Sequence, residues 1–148
     1  MLPIRVDFYL LASEQPDDLW RLACRLVEKA YHRGHRIFVL CKNQQDAESL
    51  DELLWTYKEE SFIPHNLQGE GPEPPPPVQI GFDKEPRGFN DILINLSGAI
   101  PPFCHRFKRV IELVSALESE KELSRGRYKE YRSKGYALHT HTIEKEMV

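Results

Sequence analysis

Two buried strands separated by an amphipathic helix, with a second such helix after them, limit this chain to a narrow set of folds. Ile4–Leu11 (IRVDFYLL) is β-branched, aromatic and apolar along most of its length, the pattern of a mostly buried strand. The turn SEQPDD follows. Pro16 there suits a first helical turn, and Asp17 and Asp18 favour the positive end of a helix. Leu19, Leu22, Ala23, Leu26, Val27 and Ala30 recur at three- and four-residue spacing, so the helix runs to about Arg33, and Gly34 ends it. Arg36–Cys41 (RIFVLC) is a second buried strand. Asn43 or Lys42 opens a second helix, striped by Ala47, Leu50, Leu53, Leu54 and Tyr57. Strand, helix, strand, helix at this spacing implies parallel strands joined by right-handed crossovers. The expected fold class is α/β: three layers, α/β/α, around a mostly parallel sheet, Rossmann-like in topology.

The rest of the chain is less regular. Lys58 to Pro77 reads as a long irregular stretch ending in the proline run Pro74–Pro77, which suits an extended surface segment. Val78–Phe82 and Asp91–Leu96 (DILINL) read as strands. Pro101 or Pro102 is expected to start a third helix, with Phe103, Phe107, Val110, Ile111, Val114 and Leu117 on one face. A basic fourth helix follows, ended by Gly135. Tyr136–Thr142 alternates weakly, as an edge strand or a docked tail would. With no internal repeat and no linker, residues 1–148 are expected to form one domain, with 143–148 frayed.

Composition excludes several classes. Hydrophobic residues at 41% and charged residues at 29% are ordinary for a water-soluble domain. A pI near 6.1 argues against a general nucleic-acid binder. Cys24, Cys41 and Cys104 are far apart in apolar segments and read as small buried hydrophobes in a reducing cytosol. No apolar run approaches the roughly 20 residues of a membrane span, and no signal peptide is expected.

Charge is unevenly placed. Ser119–Tyr136 (SEKELSRGRYKEYRSKGY) holds six bases against three acids, in a chain whose formal net charge is −3. On a helix, Lys121, Arg125, Tyr128, Lys129 and Arg132 share one face. A basic stripe around a tyrosine suits an acidic peptide, a free carboxylate or a phosphate backbone. The bland alternative is a solvated face laced with ion pairs, but Glu122 and Glu130 are too few to neutralise it. Gly126, in mid-helix, costs about 1 kcal/mol against alanine, so the helix should lean on tertiary packing.

Chemistry-bearing motifs are absent elsewhere. The turn after the first strand, ASEQPDD, has no glycine and two acids that would repel a phosphate. GEGP at Gly69–Pro72 lacks the Lys-Ser/Thr of a phosphate loop. His139 and His141, or His32 and His35, have no third ligand nearby and suit solvated or capping roles better than a metal site. Asp7, Asp83 and Asp91 imply no partner, and no nucleophile sits in a recognisable elbow. Trp55, Phe62 and Ile63 cluster at a helix–loop boundary. They are either core beneath a long loop or an exposed anchor for a protein partner.

These residues carry a resemblance. FYLL at Phe8–Leu11, LDELLW at Leu50–Trp55, ESFIPHNLQGEGP at Glu60–Pro72, DILINL at Asp91–Leu96 and RYKEYRSKGY at Arg127–Tyr136 occur in that order. The chain resembles, over nearly its full length, the chi subunit family of bacterial DNA polymerase III. The resemblance implies an α/β domain without a nucleotide site, cofactor, metal or catalytic residue. It implies a cytoplasmic bacterial protein, monomeric outside its complex. It also implies two partners. One is the psi subunit, which links chi to the clamp loader. The other is the acidic C-terminal tail of single-stranded DNA-binding protein, so that DNA is reached only indirectly. The tail-binding positions match Val114, Lys121, Arg125, Tyr128 and Lys129. Arg125 and Lys129 would meet the acids or the terminal carboxylate, and Tyr128 and Val114 would bound a pocket for the terminal apolar side chain. The psi-binding positions match Trp55, Phe62, Pro64 and His65, although Trp55 suits either partner. Gly126, the Pro74–Pro77 run and the C-terminal HTHTIEKEMV depart from the family pattern. Two rival readings remain: a nucleotide-binding or hydrolytic enzyme on the same fold, and a direct binder of single-stranded DNA through the basic helix.

Overall fold

The structure, a computed structural model, describes residues 3–58 and 60–144. The first four elements follow the sequence pattern closely: β1 (Arg5–Leu11), α1 (Pro16–His32), β2 (Ile37–Cys41) and α2 (Gln44–Thr56). Pro16 begins α1, and Asp17 and Asp18 fill its first turn. Asn43 caps α2: its side-chain oxygen accepts the Asp46 N–H at 2.8 Å. Next come β3 (His65–Leu67), β4 (Val78–Gly81), β5 (Ile92–Leu96), β6 (Arg109–Val114), α3 (Glu118–Ser133) and β7 (Ala137–Ile143). The seven strands form one sheet in the order β3-β4-β2-β5-β6-β1-β7, and every pairing is parallel.

The layers follow from strand alternation. Ile37, Val39 and Cys41 of β2 point to one face, where they meet Leu22, Ala23 and Val27 of α1 and Ala47, Leu50 and Leu54 of α2. Phe38 and Leu40 point to the other face, among Phe8, Val110, Val114 and Tyr131. That second face carries α3 and the turns that precede β6, so the basic helix lies opposite α1 and α2. All three cysteines are buried. Burial pushes the Cys24 and Cys41 thiols up to about 12, which leaves them as small hydrophobes.

Three elements differ from the sequence expectation. The helix expected from Pro101 or Pro102 does not form. A single 3₁₀ turn at Cys104–Arg106 leads instead into β6, an interior strand paired with β5 and β1. Val114 therefore ends a strand and does not belong to a helix. A strand buried on both faces is a continuous apolar run, and RVIELV next to two phenylalanines mimics helical spacing. The stretch expected to be irregular contains β3, a short edge strand paired with β4. At the other edge, β7 pairs with β1 through Ile143, one residue into the segment expected to fray; residues 145–148 lie outside the described residues.

Candidate functional site

A concavity sits where α3 crosses the ends of β1 and β6. It is a groove of about 530 Å³. Phe8 and Leu10 of β1, Val114 of β6 and Thr140 of β7 line it on the sheet side; Lys121, Arg125, Tyr128, Lys129 and Arg132 line it from the helix. All five residues expected to hold an acidic tail are thus brought to one groove. The Tyr128 ring lies 5.4 Å from that of Phe8, tilted by 54°, so the aromatic centre of the groove is held by the sheet. Phe8, Leu10 and Thr140 were missing from the sequence reading. FYLL was visible as a strand, but only topology shows which strand end lies under the basic helix.

The cations differ in availability. Arg127 is the exception on the helix: it turns inward, 10% exposed, and pairs with Glu112 at 3.1 Å. Lys134 pairs with Glu130 at 3.7 Å, and Lys121 with Glu118 at 3.6 Å. Arg125, Lys129 and Arg132 form no ion pair among the described residues. Their heads are solvated, so the groove presents uncompensated positive charge over an apolar floor.

What keeps α3 in place is a buried polar cluster. The Glu112 carboxylate, 1% exposed, accepts from the Tyr131 hydroxyl at 2.7 Å, the Asn95 amide at 2.7 Å and the Arg127 guanidinium. Burial pushes the Glu112 carboxyl above its ordinary value, against the Arg127 charge and the hydrogen bonds from Tyr131 and Asn95. Arg127 also donates to the Gly98 carbonyl at 3.1 Å. These contacts tie the helix to β5 and β6 from the side away from the groove.

A second surface lies at the end of α2. Trp55 is 50% exposed and Phe62 is 66% exposed, with ring centres 5.7 Å apart, whereas Ile63 is buried in the core. The segment therefore divides between neighbouring residues: Ile63 is core, and Trp55 and Phe62 face outward. Pro64 is half-buried. The His65 side chain is enclosed beneath Trp55, their ring centres 4.3 Å apart; its Nδ1 faces the Ile63 carbonyl at 2.6 Å and its Nε2 the Asp51 carbonyl at 3.0 Å. His65 thus shapes this surface from below.

Other expected candidates resolve into structural roles. Asp7 is fully buried, held by Arg5 at 2.9 Å, Arg109 at 2.8 Å and His141 at 2.7 Å. Burial pushes its carboxyl up, but the hydrogen bonds from Arg5 and His141 and the Arg109 charge outweigh this and hold it below its ordinary value. His35 contacts Asp91 at 3.0 Å. The described residues contain no cluster of three or more groups able to hold a metal, and none of their helices is long and apolar enough to cross a membrane. In the turn after β1, the Ser13 hydroxyl donates to Asp18 at 2.5 Å and accepts the Gln15 N–H at 3.0 Å, so its polar groups serve one another.

Fold and groove together define a doubly wound parallel α/β domain with a basic, apolar-floored groove on its single-helix face. The crystal structure of T4 UvsW shares this fold, with a TM-score of 0.64 over 97% of this chain and 42% of that one, at 8% sequence identity. Sequence comparison is more specific. The chain belongs to the family described as DNA polymerase III chi subunit, HolC, which it matches over residues 4–139. It is 37% identical to DNA polymerase III subunit chi of Pseudomonas aeruginosa, over 94% of this chain and 96% of that protein. It is 38% identical to the subunit of the same name from Escherichia coli, over 91% and 95%. Membership gives the chain a role in DNA replication as a subunit of DNA polymerase III, in complex with other replication proteins.

Proposed function

We propose that this chain is a non-catalytic adaptor that joins the polymerase assembly to single strands coated by single-stranded DNA-binding protein. The groove under α3 receives the acidic C-terminal tail of that protein. Arg125 and Lys129 meet its carboxylates, Lys121 and Arg132 extend the positive field, and Tyr128, Val114 and Phe8 enclose its terminal apolar side chain. The Trp55–Phe62 surface holds the psi subunit, which carries the link to the clamp loader. The observation that carries this reading is the combination in one groove of three cations without ion pairs among the described residues and an aromatic, apolar floor. Weak binding of one tail suffices when a coated strand offers many tails at high local concentration.

The reading is tested by passing the chain over immobilised single-stranded DNA in three states: bare, coated with whole single-stranded DNA-binding protein, and coated with that protein lacking its tail. Retention on the second surface alone is expected, weakening as salt rises. Equal retention on bare DNA, with a steep salt slope, would replace the adaptor by a direct DNA binder.

A further inference from the structure

The Trp55–Phe62 surface has an electrostatic character opposite to that of the groove. Between Asn43 and Pro77 the chain carries eight acids and one base, Lys58. Lys58 is drawn toward α1, where it pairs with Glu28 at 3.5 Å. Glu48 and Glu52 are exposed on α2, seven and three residues before Trp55, and so share its side of the helix. Asp51 lies one turn before Trp55, its carboxylate 3.4 Å from His65 Nε2 under the indole. Glu70 is exposed in the turn after β3. Burial raises the Asp51 carboxyl above its ordinary value; His65 opposes the rise, and the charges of Glu70 and Glu52 add to it, so these acids act on one another across the α2–β3 boundary.

An exposed pair of aromatic rings rimmed by carboxylates suits one kind of occupant. Apolar or aromatic side chains would cover Trp55 and Phe62, guanidinium or ammonium groups would lie against the ring faces, and the same cations would meet the acidic rim. An acidic segment would be repelled. We propose that the Trp55–Phe62 surface docks a basic, apolar-anchored segment of the psi subunit, so that the two sides of this chain sort their partners by charge: acidic tail at α3, basic segment at α2. The proposal rests on the reading that this surface serves psi, and adds the chemistry of the segment it takes.

The test is titration of the full chain with purified psi subunit at about 0.05 M and about 0.5 M NaCl, where screening lengths differ several-fold. The parent is compared with Trp55→Ala and with the triple variant Glu48→Gln, Glu52→Gln, Glu70→Gln, whose substituted side chains are all exposed. The expected result is binding roughly tenfold weaker at the higher salt, and about tenfold weaker for the triple variant at the lower salt, with an unchanged melting temperature. A triple variant that binds as tightly as the parent or more tightly, while Trp55→Ala binds poorly, would overturn the proposal and leave the psi reading intact. No psi binding by the parent, or binding untouched by Trp55→Ala, would overturn both.

Discussion

Gly126 and Asp7 show how single residues set the stability of this chain. Gly126 lies inside α3, and a Cβ built there meets nothing within 4 Å. Gly126→Ala should therefore stabilise the fold by about 0.5–1 kcal/mol through helix propensity and lost chain freedom, raising the thermal midpoint without altering the groove. Asp7 is bound to three basic side chains, and its carboxyl sits below the ordinary value of 3.8. A depressed folded-state value means that its contribution is complete above pH 3.8 and is lost as pH falls through the lower value. Urea unfolding of the parent and of Asp7→Asn should show a clear stability gap near neutral pH. That gap should close as pH falls below about 4.

Among the elements, α3 depends most on a buried partner. Glu112 bonds Tyr131 and Arg127, which are four residues apart on the inward side of the helix. Glu112→Ala would leave the Arg127 charge nearly buried and unpaired, so denaturant unfolding should show a loss of about 3–5 kcal/mol. Tyr131→Phe removes one neutral donor and should lose about 1–3 kcal/mol. A Glu112→Ala protein as stable as the parent would mean that α3 is held by apolar packing alone. The same pair of elements shows what periodicity reveals. The α3 stripe was legible because an exposed helix must separate charged from apolar faces, and Lys121, Arg125, Tyr128 and Lys129 did so. β6 was not legible, because an interior parallel strand has no polar face to mark its period. Arg127 looked like one more surface cation. Only its partner on β6, fifteen residues earlier, turns it inward.

At the scale of the whole molecule, the parallel sheet separates two surfaces. α1 and α2 cover one face and α3 the other, so the aromatic surface at the end of α2 and the basic groove are set on different layers. The βαβα opening was readable from the first 57 residues, because strand and helix periods alternate there with clear turn chemistry. The closing order β5-β6-β1-β7 was not readable: pairing between distant strands depends on which run is a strand, and RVIELV read as a helix. The residues expected to bind an acidic tail line one groove, while its floor needed the sheet order that places Leu10 beside Val114. The most direct test of the account is calorimetric titration of the chain with a peptide of the single-stranded DNA-binding protein's acidic C-terminus, beside Arg125→Ala. The account predicts a binding isotherm for the parent, at least about tenfold weaker for the variant, with both proteins melting alike. A parent that fails to bind the peptide at low salt, or an Arg125→Ala variant that binds it equally well, would contradict it.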